Sequence, residues 1–170
     1  MQVTQDRLVG KIKFLPVPQR PKAVRLLTCL EISQPIDDVF AFFADAANLQ
    51  RITPPWLHFR FVMPLPIEMH AGALIDYRLR LRGFPIHWRT EISEWNPPGH
   101  FVDRQLSRPY RLWEHTHTFE ATRHGTRVTD SVDYIVPGGR IMERLPVRPD
   151  LRRIFFYRQE QIMAHFRIDH

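Results

Sequence analysis

The chain of 170 residues lacks several features that mark other classes of protein. Its single cysteine, Cys29, excludes an intrachain disulfide framework and a zinc site built from several cysteines. The sequence shows no apolar run of membrane-spanning length and no apolar leader that ends in a small-residue cleavage site. We therefore expect a cytoplasmic protein, made of one domain with a sizeable core or of one domain plus a tail.

The chain also lacks the clustered basic stripe of a nucleic-acid-binding surface. Its formal net charge is +6, but residues 1–25 hold six basic side chains against Asp6 alone, so the remainder is almost neutral. Because the bulk of the chain carries so little net positive charge, we expect no nucleic-acid partner.

A proline-rich segment at 15–21 interrupts any helix or central strand near the start of the chain. This predicts a basic N-terminal extension over residues 1–25, followed by a folded domain over residues 26–170. The extension is either an arm packed on the domain or a loose leader. Weak contact between its basic side chains and an anionic membrane surface is a further hypothesis.

Hydrophobic periodicity predicts an α+β fold with an antiparallel sheet. The predicted strands cover residues 26–32, 56–62, 73–82, 86–95, 101–107, 110–121 and 126–136. A helix is predicted to begin near Pro35, a short helical turn lies over 48–52, and a loop follows over 138–149. From Asp150, its predicted cap, an amphipathic helix runs for about four or five turns and would cover the apolar face of the sheet.

The most informative predicted strand contains Trp113, His115, His117 and Phe119. Side chains alternate between the two faces of a strand, so these four share one face. The apolar residues at its ends direct that face inward, and two histidines then enter the interior beside aromatic rings. Such a mixed row indicates a lined cavity rather than a sealed hydrocarbon core.

The same alternation on neighbouring strands collects the other candidate ligand-binding residues. The polar candidates are Asp103, Gln105, His115, His117 and Asp130, and the aromatic candidates are Tyr77, Trp88, Trp113, Phe119 and Tyr134. Arg158 lies one turn before Ile162 on the predicted C-terminal helix and is expected to lean towards the same space.

Motifs spread over residues 26–168 carry a family resemblance. They include DVFAFFAD at 38–45, ITPPWL at 52–57, WRT at 88–90, YRLWEHTHTF at 110–119, DSVDY at 130–134 and IFFYR at 154–158. The chain resembles the START-like, or SRPBCC, superfamily, and within it the bacterial ligand-binding subgroup described as cyclase/dehydrase-like. The resemblance implies a helix-grip fold, in which a curved antiparallel sheet wraps around a long C-terminal helix and leaves a hydrophobic tunnel.

The resemblance implies binding, or binding and transport, of a hydrophobic small molecule such as a lipid, a quinone or an aromatic polyketide. The alternative is a polyketide cyclase/dehydratase-type enzyme in which His115 or His117 is the acid–base group. We expect no cofactor and no metal. One fold hosts several chemistries in this superfamily, so the site has to be argued on its own.

Three interpretations of the two histidines remain open on the sequence. They form a satisfied polar network with Asp103 or Asp130 that does no chemistry, or they orient the polar end of a ligand, or they act in acid–base catalysis. A site of two histidines and one carboxylate for a metal is a weaker hypothesis, because a His-x-His pair on one strand recurs in many proteins without metals.

Overall fold

The structure, a computed structural model, describes residues 10–168 and contains one eight-stranded sheet in which all neighbouring strands are antiparallel. The strands are β1 (Ile12–Pro16), β2 (Val24–Ile32), β3 (Arg60–Phe61), β4 (Leu74–Leu81), β5 (Phe84–Asn96), β6 (His100–Gln105), β7 (Leu112–Thr122) and β8 (Gly125–Ile135). Their order across the sheet is β1-β2-β8-β7-β6-β5-β4-β3, so β4 to β8 form the predicted meander.

Helices precede and follow the meander. α1 (Ile36–Ala44) and α2 (Ala47–Arg51) join β2 to a 3₁₀ turn over Pro55–Leu57, and α3 (Gly139–Met142), a π-helical turn over Glu143–Val147 and α4 (Arg148–Ile168) end the chain. α4 buries a stripe at helical spacing against the sheet: Leu151, Phe155, Ile162 and Phe166. This arrangement confirms the predicted α+β helix-grip fold. No helix within residues 10–168 has both the length and the apolarity needed to cross a membrane.

Part of the predicted N-terminal extension belongs to the sheet. Residues 12–16 form β1, which pairs with β2 at the edge, and β2 itself begins at Val24 rather than at residue 26. Proline excludes a central strand but not an edge strand, because an edge strand leaves half of its backbone groups free of partners. Residues 1–9 of the extension lie outside the described residues.

Two other predicted elements differ from the structure. The strand expected over 56–62 is reduced to Arg60–Phe61, because Pro55 begins a 3₁₀ turn that His58 ends in the left-handed conformation (φ 47°). The loop expected over 138–149 is helical from Gly139 onward, and Asp150 lies inside α4 instead of capping it.

The buried carboxylate of Glu143 links the helical C-terminal segment to the sheet. The Tyr134 hydroxyl donates to Glu143 Oε1 at 2.8 Å, and the Arg148 guanidinium binds both Glu143 oxygens at 2.8 and 2.9 Å. Burial raises the pKa of the Tyr134 phenol, and the neighbouring Glu143 carboxylate raises it further, so Tyr134 remains a neutral donor. On the surface, Arg82 in the β4–β5 turn binds both carboxylate oxygens of Asp150 at 2.7 and 3.1 Å.

Gly125 generates the first prediction. Its φ of 142° is unfavourable for residues with a side chain, and an added Cβ would overlap the backbone oxygen of Ile32. We expect Gly125→Ala to lower the free energy of unfolding by roughly 3 kcal/mol or more, measured by urea denaturation.

Gly99→Ala is the matched control, because its nearest new contact is an ordinary one, 3.6 Å from Asn96 O. It should change the free energy of unfolding by less than about 0.5 kcal/mol. Equal stability of the two variants would contradict the role assigned to Gly125.

Candidate functional site

A cavity of about 170 Å³ lies between the sheet, the α1–β3 segment and α4. Seven of the sequence-predicted site residues line it: Tyr77, Trp88, Asp103, Trp113, His115, His117 and Arg158. Most of the remaining lining is apolar and includes Phe43, Leu57, Ile75, Leu79 and Phe155. The cavity is therefore a largely apolar chamber with a polar region formed by Asp103, His115, His117 and Arg158, and with further polar lining residues at Asp45, Asn48, Thr53 and Thr90.

Aromatic rings from three strands build one wall of the cavity. The Tyr77 and Trp88 rings are stacked with centroids 6.0 Å apart, and Trp88 meets Trp113 edge to face at 5.4 Å. Tyr110 extends the wall, with its ring centroid 4.8 Å from that of Trp113. Trp88 Nε1 donates to Thr90 Oγ1 at 3.1 Å, so the indole presents only apolar surface to the chamber.

Strand register creates the polar region. Asp103 on β6 is directly opposite His115 on β7, and His117 is directly opposite Asp130 on β8. Alternation places all four side chains on the inner face of the sheet. Two carboxylates and two imidazoles are thus brought within contact distance in the interior.

Each imidazole of this cluster lies between the two carboxylates. His115 Nε2 is 3.1 Å from Asp130 Oδ1 and its Nδ1 is 3.6 Å from Asp103 Oδ2. His117 Nε2 is hydrogen bonded to Asp103 Oδ2 at 3.1 Å. His117 Nδ1 is 2.7 Å from Asp130 Oδ1, but it is too poorly aligned to count as a hydrogen bond. The rings are only 3.8 Å apart between centroids.

Arg158 brings a positive charge from α4 to the same cluster. Its Nε is 3.8 Å from Asp130 Oδ2, whereas both histidines contact Asp130 Oδ1. The Arg158 Nε itself has no hydrogen-bond partner. Its guanidinium carbon lies 5.9 Å from the centre of the Phe43 ring. The guanidinium therefore offsets the charge of Asp130 without contacting the ring nitrogens.

Burial and neighbouring charges shift the pKa values of His115 and His117 in opposite directions. Burial lowers the pKa of His115, and the adjacent charge of His117 lowers it further. Burial also disfavours the charged form of His117, but Asp130 and the hydrogen bond to Asp103 outweigh it and raise the pKa of His117. The favoured state is a neutral His115 beside a protonated His117.

The same cluster lowers the pKa values of both carboxyl groups, Asp103 and Asp130. Burial by itself raises the pKa of Asp103 and Asp130, but the positive charges around them prevail and both pKa values fall below the ordinary value, that of Asp130 well below. Both side chains are therefore ionised at neutral pH. Burial also raises the pKa of the Tyr77 phenol, which keeps this cavity-lining hydroxyl neutral.

Four predicted site residues do not line the cavity. Asp130 contacts both histidines from the neighbouring strand β8. Phe119 packs against Phe40 and Phe43, Gln105 donates to the Arg108 carbonyl, and Tyr134 is bound to Glu143. All four are on the inner face, but that face alone does not bring a side chain to the chamber, since Gln105 and Tyr134 are directly opposite the lining residues Thr90 and Trp113.

The sequence analysis missed several lining residues. Thr90 follows Trp88 at a spacing of two, so the same alternation could have identified it as a site residue. Tyr110 falls in the strand predicted over 110–121, where alternation places it on the face opposite to Trp113, but β7 begins only at Leu112 and the predicted orientation does not apply to Tyr110. The apolar residues from α1 and α4 carried only the ordinary signal of a buried helix face.

One group of side chains in the described part of the chain has the composition and spacing to hold a metal ion. Asp103, His115 and His117 each offer one ligand atom, and these atoms all lie within 4.8 Å of one another. The same three side chains face the cavity. They can thus anchor an organic polar group, exchange protons or coordinate a cation.

The family model described as polyketide cyclase/dehydrase and lipid transport matches residues 32–161. The Zhui aromatase/cyclase from Streptomyces sp. R1128 is similar in structure with a TM-score of 0.68 and 12% identity, covering 85% of this chain and 94% of that one. Protein Ms6760 from Mycobacterium smegmatis is similar with a TM-score of 0.65 and 15% identity, and the match covers 94% of this chain and 99% of that one. No curated protein matches the sequence.

A further similar structure is the nucleoside-diphosphate sugar epimerase from Corynebacterium glutamicum, with a TM-score of 0.62 and 25% identity. The match covers 82% of this chain but only 28% of the epimerase. The aromatase/cyclase and the mycobacterial protein are similar to this chain in fold alone. The family match confirms the resemblance inferred from the sequence.

The opposite shifts of the two histidines generate the second prediction. In an NMR titration, the ring signals of His117 should change above the ordinary histidine pKa of about 6.5 and those of His115 below it. Asp130→Asn removes a negative charge next to His117 and should move its titration to lower pH.

Asp133→Asn is the control, because Asp133 is paired with Arg25 instead, at 2.6 Å, and takes no part in the cluster. It should leave both ring titrations unchanged. Identical titration of His115 and His117 in the unmodified protein would contradict the proposed charge distribution.

Proposed function

Because this chain belongs to the polyketide cyclase/dehydrase and lipid transport family, we propose that it binds a hydrophobic small molecule in the cavity. The apolar part of the ligand lies against the aromatic wall, and an oxygen-bearing group contacts Asp103, His115 and His117. The observation that carries the proposal is the position of this buried charged cluster on the surface of a largely apolar chamber.

The volume of the cavity limits the ligand. An apolar protein cavity of about 150 Å³ accepts benzene, and the cavity here measures about 170 Å³. A compact aromatic or short aliphatic group therefore fits inside without rearrangement. A longer lipid, quinone or polyketide would place only one end in the chamber as it stands.

The polar cluster favours ligands with a hydroxyl or carbonyl group. Asp103 can accept a hydrogen bond, whereas protonated His117 and Arg158 can donate one. A hydrocarbon without oxygen would displace the water bound to these groups and offer no hydrogen bond in its place. Binding such a ligand therefore costs free energy. Discrimination between the two kinds of ligand is thus the expected property of the site.

The third prediction compares 2-naphthol with naphthalene, which share a ring system and differ by one hydroxyl. Hydrogen bonds to charged groups contribute about 1.5–3 kcal/mol, so the protein should bind 2-naphthol about tenfold or more tightly. Ligand fluorescence measures both affinities. His115→Phe keeps an aromatic ring and removes one polar contact, and should reduce the preference for the hydroxyl.

His87→Phe is the control, because His87 lies on the surface and is paired with Asp76 at 3.2 Å, away from the cavity. Its preference for 2-naphthol should equal that of the unmodified protein. The proposal fails if the unmodified protein binds neither compound, or binds both equally. An unchanged preference in His115→Phe would remove His115 from the anchoring group.

The second candidate function is a cyclase or dehydratase, and the opposite pKa shifts of His115 and His117 favour it. Neutral His115 would take a proton from the carbon next to a carbonyl group. The carbon–oxygen bond of a β-hydroxyl would break, and protonated His117 would donate its proton to that oxygen, which leaves as water. The product is a conjugated enone.

The fourth prediction uses 4-hydroxy-4-phenylbutan-2-one, whose dehydration creates a strongly absorbing enone. The rate should be greatest between the two histidine pKa values, because His115 must be neutral and His117 protonated. His117→Gln should abolish turnover and retain binding of the compound, with His87→Gln as the control. Equal loss of binding and turnover would leave His117 only an anchoring role.

A further inference from the structure

Three cavity-facing side chains are arranged as a set of potential metal ligands. Asp103 Oδ2 lies 3.6 Å from His115 Nδ1 and 3.1 Å from His117 Nε2. Nitrogen and oxygen ligands bound about 2.0–2.2 Å from one ion lie at comparable distances from each other. The two nitrogens come from adjacent rings on one strand, tilted by 35° to each other, and the oxygen comes from the neighbouring strand.

We propose that Asp103, His115 and His117 bind a divalent transition-metal ion at the polar end of the cavity. The ligands are two imidazole nitrogens and one carboxylate oxygen, a donor set suited to Zn²⁺, Co²⁺ or Fe²⁺. These three residues supply protein atoms on one side of the ion, and its remaining positions face the chamber. The proposal does not depend on the identity of any organic ligand.

Asp130 supports this assignment from the neighbouring strand β8. Metal-binding imidazoles usually donate their second ring N–H to a carboxylate, which fixes the ring and the nitrogen that binds the metal. Here Asp130 Oδ1 is hydrogen bonded to His115 Nε2 at 3.1 Å, and it lies 2.7 Å from His117 Nδ1 without the alignment of a hydrogen bond. The nitrogens left over are the two that face Asp103.

The net negative charge of the cluster, when both imidazoles are neutral, also favours binding of a cation. Asp103 and Asp130 contribute two negative charges, and Arg158 offsets one of them from 3.8 Å. With both imidazoles neutral, one negative charge remains in a buried site: His117 is 2% exposed and His115 6%. A proton on His117 or a metal ion can neutralise it, so the two compete for the same place.

Calorimetry with Zn²⁺, on full-length protein first treated with a chelator, tests the proposal. We expect one ion per chain, and Co²⁺ should give the visible absorption of a nitrogen- and oxygen-bound ion. Asp103→Asn and His117→Gln should each weaken Zn²⁺ binding by about tenfold or more, the effect that even outer partners of a metal site produce.

Asp76→Asn and His87→Gln are the matched controls, because they alter a histidine–aspartate pair on the outer surface, 3.2 Å apart. Both should bind Zn²⁺ within about twofold of the unmodified protein, since a single exposed pair makes a weak site. Circular dichroism establishes whether each variant is folded, and His115→Gln replaces any variant that is not.

Two results would overturn the proposal. One is an unmodified protein that takes up no stoichiometric Zn²⁺ or Co²⁺. The other is a folded Asp103→Asn or His117→Gln variant that binds Zn²⁺ as tightly as the unmodified protein. Neither result bears on the 2-naphthol measurement, which is made in the presence of chelator, so the two proposals can fail separately.

Discussion

Desolvation of ionisable groups is the constraint on which the interior of this protein depends. Asp103, His115, His117 and Asp130 are all carried inward by strand alternation, and each would be costly if buried alone. They are tolerated because strand register makes them neighbours and because α4 brings Arg158 to the same place. The position of α4 over the sheet is therefore fixed by charge as well as by apolar packing.

The polar groups continue across the sheet beyond the histidines. Thr28 on β2 is directly opposite Asp130, and the Gln159 side chain on α4 donates to the Thr28 hydroxyl. A row of polar side chains thus crosses four adjacent strands between two apolar clusters, one around α1 and one around the start of α4. The row gives the sheet and α4 a defined register, which apolar contacts alone specify weakly.

Alternation predicted the face of each site residue, but it could not predict which positions on that face border the chamber. Phe119 and Tyr134 share the inner face with the histidines, yet one packs beneath α1 and the other is held by Glu143. Pairing of specific histidines with specific carboxylates also required the register of β6, β7 and β8, which depends on the geometry of the turns between them.

The fold was predictable where periodicity was strong. The meander and α4 were correctly expected, because alternation and a helical stripe persist there over many residues. β1 was missed because Pro16 at its end and the prolines that follow obscured a short edge strand, and the π-helical turn was missed because Pro146 and Gly138 resemble loop residues. In that turn Tyr134 and Arg148 hold Glu143, a tertiary interaction that local sequence does not show.

The two edge strands have a consequence for association between copies of the chain. An unpaired strand edge can recruit an edge from another molecule and start aggregation, and short or proline-containing strands discourage this. In the described sheet, one edge is β3 with two residues, and the other is β1, five residues long and ending at Pro16. Lys13 adds a charge to β1, so neither edge offers the long, flat, apolar template from which fibrils grow.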